Sequence, residues 1–252
     1  MSTLNISSPL NVSQGAKFSR ILGVGGYRPR RVVDNAEIVT YIDSSDEWIR
    51  TRSGIAERRW AGEDETVSMM SQAAARKAMD RAGVEPGQID TVIVATVTHL
   101  HQTPAVATTI ASELGATNAA AFDISAACAG FCYATAMADS FVRTGASKYV
   151  LIIGVERLSD LTDKHDRSTA FIFGDGAGAV VVGPSDTPGI GPTVGGSDCT
   201  QWDAIVNKTS WIEYRESGAE WPALKMAGPA VFRWAVWQMP PIAQKAMAAA
   251  GE

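Results

Sequence analysis

Cysteine and histidine are scarce in this chain of 252 residues, with three of each. Cys128, Cys132 and Cys199 offer no CxxC pair and no spacing for a disulfide framework. That excludes a stapled secreted scaffold and favours a reducing, cytoplasmic setting. Basic surplus is missing too: 22 Lys and Arg stand against 27 Asp and Glu, a formal net charge of −5. A nucleic-acid binder would show a basic face, so no nucleic-acid partner is expected. No apolar run reaches the roughly 18 residues of a membrane span, so no membrane partner is expected either. The Ser- and Asn-rich opening, Met1 to Lys17, lacks the basic start and continuous apolar stretch of a secretory signal and reads as a loose tail. No metal is expected. What is present, 46% hydrophobic and 19% charged residues, is the composition of an ordinary globular protein with one large domain or two small ones.

Short Val/Ile-rich runs alternate with longer Ala-rich stretches. Thr91–Val97, Ala119–Ser125, Tyr149–Gly154 and Ala177–Gly183 are predicted as buried strands. Val67–Ala82, Ala105–Leu114 and Ala129–Arg143 are predicted as helices. Near-continuous apolar strands separated by helices require a sheet covered on both faces, hence an α/β fold. A short repeat is also visible, Lys77-Ala-Met-Asp-Arg-Ala-Gly83 recurring as Lys245-Ala-Met-Ala-Ala-Ala-Gly251. Two helices that each end on an Ala-Gly C-cap explain the match by themselves. A duplication of two halves is the other reading, and on it the second copy stops where its next strand should begin. Gly23-Val-Gly-Gly-Tyr27 is followed by Arg28 where a dinucleotide fingerprint needs its third glycine. Gly174-Asp-Gly-Ala-Gly178 has no following Lys-Ser/Thr and is no phosphate loop. Both are expected where backbones pack closely.

Phe122-Asp-Ile-Ser-Ala-Ala-Cys-Ala-Gly-Phe131 carries an apolar strand into small residues, then Cys128, then a helix with Gly130 two residues past the thiol. Small neighbours permit the sharp turn of a strand–nucleophile–helix elbow. A thiol at a helix N-terminus faces unpaired N–H groups and the positive end of the macrodipole, a setting that favours the anionic sulfur that attacks thioesters. On placement alone two readings stand, a nucleophile or a buried structural thiol. Cys132, one turn along the same helix face, is expected in the core. Cys199 lies in a Gly/Ser/Asp loop with no chemistry around it.

Ser125-Ala-Ala-Cys-Ala-Gly-Phe131 resembles the nucleophile motif of the β-ketoacyl-[acyl-carrier-protein] synthase III family, which starts bacterial type II fatty acid synthesis. Five further segments resemble that family in order: Gly25-Gly-Tyr-Arg-Pro29, Asp43-Ser-Ser-Asp-Glu-Trp-Ile49, Thr51-Arg-Ser-Gly-Ile55, Phe171-Ile-Phe-Gly-Asp-Gly-Ala-Gly178 and Gly228-Pro-Ala-Val-Phe232. The resemblance runs from about Ile21 onward and favours the catalytic reading of Cys128. It implies an α/β, thiolase-like αβαβα layered fold, its N-terminal half complete over 18–184 and its C-terminal half begun over 185–252. It also implies a homodimer that takes acyl-CoA as a substrate, with no permanently bound cofactor. The acyl group is transferred to the cysteine and condensed with malonyl-acyl-carrier protein, with release of carbon dioxide.

By the same resemblance Trp48 stacks on the CoA adenine, Arg167 covers its other face and Arg52 lies near the CoA phosphates. Those roles suit flat indole and guanidinium faces. Thr103, Phe173 and Phe232 match the acyl pocket. Thr103 falls where a dimer partner closes that pocket with Phe in some members, so a primer longer than acetyl is expected to fit. Arg233 matches a basic contact for the acidic carrier protein. The family also uses a His, within a His-Gln-Ala-Asn motif, and an Asn for decarboxylation. His99, His101 and His165 do not match it: His101-Gln102 is followed by Thr103-Pro104 and precedes the nucleophile. The chain is therefore expected to carry the acylation nucleophile and CoA face without the decarboxylation pair. A polyketide starter synthase of the same fold and a non-catalytic remnant remain the alternative readings.

Overall fold

The computed structural model describes residues 14–251, so residues 1–13 of the expected tail lie outside the described residues. In chain order the elements are β1 (Phe18–Tyr27), β2 (Arg31–Asp34), α1 (Asn35–Ile38), α2 (Asp46–Ser53), β3 (Glu57–Trp60) and α3 (Val67–Ala82). Then follow β4 (Thr91–Ala95), α4 (Val106–Leu114), β5 (Ala120–Ile124), α5 (Gly130–Thr144), β6 (Val150–Arg157) and β7 (Asp175–Ser185). The last are β8 (Ile205–Asn207), α6 (Trp211–Ser217), β9 (Leu224–Met226) and α7 (Gly228–Ala250).

One five-stranded sheet, in the order β1-β7-β6-β4-β5, organises the fold. β4 pairs in parallel with β5 and β6, while β7 runs antiparallel to both β6 and β1. Because side chains alternate across a strand, each apolar run feeds two cores. Val92 and Val94 pack with Met70, Ala74 and Ala78 of α3 and Ile110 of α4. Ile93, between them, packs with Ala134, Ala138 and Val142 of α5 on the opposite face. The four strands and three helices predicted from the apolar pattern are all present, with ends shifted by at most a few residues.

β1 was not legible as a strand, since three glycines break its apolar pattern. Two of them, Gly23 and Gly25, instead let α3 approach. A Cβ built on Gly25 would lie 2.0 Å from the Ala74 carbonyl oxygen, so helix backbone rests directly on strand backbone. β1 is preceded by an anchor, because Ala16 donates to the Val142 carbonyl oxygen at 3.1 Å. At the other end of β1, Glu65 is fully buried and accepts from the Tyr27 hydroxyl at 2.6 Å, the Gly62 amide at 2.8 Å and the Arg30 amide at 2.9 Å.

The sequence repeat extends to geometry. Gly83 and Gly251 both adopt the left-handed conformation, at φ 64° and 87°, and cap their helices through matching acceptors, Asp80 and Met79 against Ala248 and Met247. Each helix also follows a two-stranded antiparallel sheet, β2–β3 before α3 and β8–β9 before α7, with helix between the two strands in both cases. Their burial differs sharply. α3 buries seven residues, whereas no residue of α7 is buried, and Phe232 and Trp237 are 70% and 75% exposed.

Gly25→Val places a branched side chain against the Ala74 carbonyl and is expected to destabilise the protein by about 1–3 kcal/mol, as overpacking does. A lowered urea midpoint at unchanged m-value checks this, and wild-type stability would contradict the close approach.

Candidate active site

The strand that leads to Cys128 is fixed from three sides. β5 pairs with β4, and the Ile124 carbonyl accepts from the Thr96 amide at 3.2 Å. The Asp123 carboxylate accepts from the amides of Val106 and Ala107, at 2.8 and 2.9 Å, and so caps α4, whose own N-cap residue, Ala105, offers no side-chain acceptor. Beyond β5 the backbone turns through Ala127 at φ 44°, the one non-glycine with positive φ among the described residues. Such a residue stores about 1–3 kcal/mol and persists only where its surroundings over-determine it. A single 3-10 turn, Ala127–Ala129, presents Cys128, which is exposed. α5 starts at Gly130, where a Cβ would meet the Ala95 Cβ at 2.9 Å, so the helix start is pressed onto β4. No side chain caps α5, which leaves its first amides directed toward the thiol's end of the helix.

Cys128 opens onto a cleft of about 450 Å³, walled by Ala95, Phe131, Val155 and Leu158, by the Gly174–Gly176 run and by Glu156. Glu156 accepts from the Val97 amide at 3.0 Å and the Thr98 hydroxyl at 2.7 Å, and Thr98 Oγ1 in turn accepts from the Arg157 amide at 2.8 Å. Burial pushes the Glu156 carboxyl above its ordinary range, against the lowering effect of those donors. Asp175 accepts from the Ala61 amide at 2.7 Å, the Ser159 amide at 2.8 Å and the Ser159 hydroxyl at 2.6 Å, which ties β3 and the segment after β6 to this wall. Sequence reasoning missed Asp123, Glu156 and Asp175 as site-builders. The signal available was an acid at or next to the end of an otherwise apolar strand.

A second cluster brings together the three residues expected at CoA. Trp48 lies on α2, capped by Ser45, whose hydroxyl accepts from the Trp48 amide at 3.1 Å. The Arg167 guanidinium carbon is 4.7 Å from the Trp48 ring centroid, and that of Arg52 is 5.8 Å away. Phe171 meets the same indole edge-on at 5.4 Å. Buried polar groups set this geometry. Asn35 donates to Asp46 Oδ1 at 2.7 Å and to the Ile55 carbonyl at 2.9 Å, holding α2 at both ends. Buried Arg58 donates to Asn35 Oδ1 at 2.8 Å and the Phe171 carbonyl at 3.0 Å, which carries the order across to the Arg167 turn. Arg167 occupies the stacking distance that an aromatic base uses, about 4.5–7 Å between centroids, so a base inserted there has to lift the guanidinium off the indole.

The remaining expected residues are placed elsewhere. Thr103 is exposed on the loop between β4 and α4, Phe173 is half-buried beside Gly174, and Phe232 and Arg233 are exposed near the start of α7. Thr103, Phe173 and Phe232 are not among the residues that line the cleft. Cys132, expected in the core, is exposed instead, because the stripe that α5 buries runs through Gly130, Ala134, Ala138 and Val142 and Cys132 lies off it. His99 and His101 lie side by side, ring centroids 5.4 Å apart, and His165 Nδ1 is 3.2 Å from the Tyr41 carbonyl; none of the three lines the cleft.

The layered sheet is that of the thiolase-like condensing enzymes. The solved priming β-ketosynthase from the R1128 polyketide biosynthetic pathway superposes with TM-score 0.94 and 51% identity, covering 97% of this chain and 73% of its own. The 3-oxoacyl-[acyl-carrier-protein] synthase III of Aquifex aeolicus VF5 gives TM-score 0.83 and 38% identity, covering 92% and 72%. The family model described as 3-oxoacyl-[acyl-carrier-protein] synthase III matches residues 122–199, which contain the elbow and the Arg167 turn. β-Ketoacyl-[acyl-carrier-protein] synthase III of Streptomyces glaucescens is 58% identical over 245 residues, 97% of this chain and 74% of that protein. The mycobacterial enzyme of Mycobacterium avium is 50% identical over 96% of this chain and 72% of its own. The chain belongs to the β-ketoacyl-[acyl-carrier-protein] synthase III family of acyl-transferring condensing enzymes.

Ala127→Val puts a β-branched residue at φ 44° and is expected to cost about 1–3 kcal/mol, whereas Ala127→Gly relaxes the turn and leaves the urea midpoint equal or higher. Glu156 has a raised folded pKa, so its buried charge disfavours the fold at neutral pH, and this penalty fades as pH falls through that folded value toward the unfolded one. Glu156→Gln removes the dependence. The stability of wild type relative to Glu156→Gln is therefore expected to rise as pH falls from neutral toward the ordinary Glu range near about 4.3, as followed by urea unfolding at each pH; a flat difference would contradict it.

Proposed function

We propose that this chain accepts an acyl group from acyl-CoA on Cys128. The adenine packs against Trp48 with Arg167, Arg52 takes phosphate charge, and the pantetheine thioester reaches the elbow. Cys128 Sγ attacks the thioester carbonyl, the carbonyl re-forms, and CoA leaves as the thiol, with the acyl group now held as a thioester on Cys128. The observation that carries this reading is an exposed thiol on a strained elbow at the uncapped start of α5, opening onto the cleft. In the second half-reaction, decarboxylation of malonyl-acyl-carrier protein supplies the carbanion that attacks the acyl thioester. The C–S bond to Cys128 breaks and frees its thiol, the products are 3-oxoacyl-acyl-carrier protein and carbon dioxide, and Arg233 is the carrier contact. Cys128, Trp48, Arg52 and Arg167 serve the acylation half; among the described residues no histidine lines the cleft.

The proposed working form is a cytoplasmic homodimer, with units at 18–184 and 185–252. Among the described residues β5 pairs only with β4 and leaves its outer edge open, next to the exposed loop that carries Thr103. A second copy seated on that edge brings Thr103 toward the partner's acyl pocket, where Phe173 and Phe232 are assigned. No helix among the described residues is long and apolar enough to cross a membrane. Polyketide priming is the second reading, favoured by the 51% identity and TM-score of 0.94 to a priming β-ketosynthase.

The test is intact-protein and peptide mass spectrometry after incubation with acetyl-CoA and with an acyl-CoA of about 12 to 16 carbons. One acyl adduct on the Cys128 peptide, absent in Cys128→Ala, is expected, with the longer chain accepted at least as fast because Thr103 leaves room. No adduct on a freely alkylatable Cys128 would reduce the chain to a non-catalytic remnant, and a clear acetyl preference would remove the pocket argument.

A further inference from the structure

The turn that carries Arg167 reads Asp163-Lys-His-Asp-Arg167, so each cation follows an acid directly. Left to themselves, charges so close in one loop neutralise each other. The structure shows a different sorting. Lys225, on β9, places its Nζ 3.4 Å from Asp163 Oδ2 and 3.4 Å from Asp166 Oδ2. Arg167 lies over Trp48, and Lys164 Nζ lies 5.0 Å from the centroid of Trp60 and 5.8 Å from that of Tyr41. Among the described residues, neither Lys164 nor Arg167 has a carboxylate partner, and nor does Arg52. Three cations are thus held on aromatic faces with their charge uncompensated, while both acids of the turn are satisfied from outside it.

We propose that Lys225 is a positioning residue for acyl-CoA binding: by taking up Asp163 and Asp166 it leaves Arg167 and Lys164 free for the ligand's adenine and phosphates. The proposal rests on the CoA reading of Trp48 and Arg167 and adds a residue more than 50 positions away in sequence. The inner oxygens of both acids have other duties. Asp163 Oδ1 accepts from the His165 amide at 2.9 Å, and Asp166 Oδ1 accepts from the Ser168 amide at 2.8 Å and the Ser168 hydroxyl at 2.6 Å. Lys225 therefore meets the Oδ2 atoms of both acids, the oxygens that these donors leave open. Burial raises the Asp166 carboxyl, but the Ser168 donors and Lys225 outweigh it and hold the group below the usual carboxylate range. The segment before β9 has an uncharged tether to the same region, Trp221 Nε1 donating to the Asp160 carbonyl at 2.8 Å, so loss of the ammonium leaves it docked.

Calorimetric titration of the whole chain with CoA tests this. Lys225→Met is expected to weaken CoA binding by about threefold to fivefold, the range of partly exposed ion pairs, and Lys225→Arg to restore it. Adding Asp163→Asn and Asp166→Asn to Lys225→Met keeps the inner acceptors while deleting the released charges. Binding is expected to return to within about twofold of wild type. At saturating acyl-CoA, Cys128 acylation in Lys225→Met should proceed at the wild-type rate, because the residue acts on binding alone. Wild-type affinity in Lys225→Met, or no rescue by the two Asn substitutions, would overturn the proposal. Trp48→Ala separates the two levels: if it leaves CoA affinity unchanged, the CoA reading itself falls, whereas weakened Trp48→Ala beside unaffected Lys225→Met sinks only the role of Lys225.

Discussion

The left-handed turn at Ala127 is the constraint around which the site is built. An alanine at φ 44° is held there only because the segments on either side cannot yield. Upstream, β5 is locked by its pairing to β4 and by Asp123, whose carboxylate serves as the N-cap of a different helix. Downstream, α5 cannot slide because Gly130 already touches Ala95. Between two fixed ends, the three residues Ala127–Ala129 have one path, and that path projects Cys128 outward. The reactive thiol is thus positioned by sheet register and helix packing, with no side-chain hydrogen bond to the sulfur needed.

A different principle shapes the neighbouring face. There, order comes from buried polar groups that join segments distant in sequence. Asn35 links β2 to both ends of α2, and Arg58 links Asn35 to the Phe171 carbonyl. Buried donors and acceptors of this kind cost stability unless satisfied, and here each bond also fixes one of the segments that carry Trp48 and Arg167. Lys225 extends the same logic to charge, by removing acids from a turn whose cations face aromatic rings.

Much of the sheet was legible in the sequence because β4 and β6 are apolar on both faces and glycines mark the ends of α3, α4 and α5. Gly83, Gly115 and Gly145 all take the left-handed C-cap conformation that such a glycine implies. β1 was not legible, since its glycines, two of which serve contact with α3, erase the hydrophobic period. The two-stranded sheets β2–β3 and β8–β9 have short strands that are largely polar or half-exposed, so they carry little periodic signal. In the site, Cys128 and the Trp48–Arg52–Arg167 cluster could be named from motifs. Asp123, Glu156 and Lys225 could not, because each acts across a gap in sequence that only the folded chain closes. Cys132 shows the converse limit: helical spacing gives its face, but burial depends on what packs there.

The prolines of α7 have a mechanical consequence. Pro240 and Pro241 bring no amide hydrogens, so the carbonyls of Val236 and Trp237, one turn earlier, lose their helical donors at neighbouring positions. With no buried residue on either side of that gap, nothing outside the helix braces it. α7 is in effect two rods with a joint at Trp237. The first is moored through the Trp234 indole to Asp198, and the second ends with Ala250 near Gly191. The gap is where the helix yields most readily to bending, and Trp237, 75% exposed, is the side chain beside it.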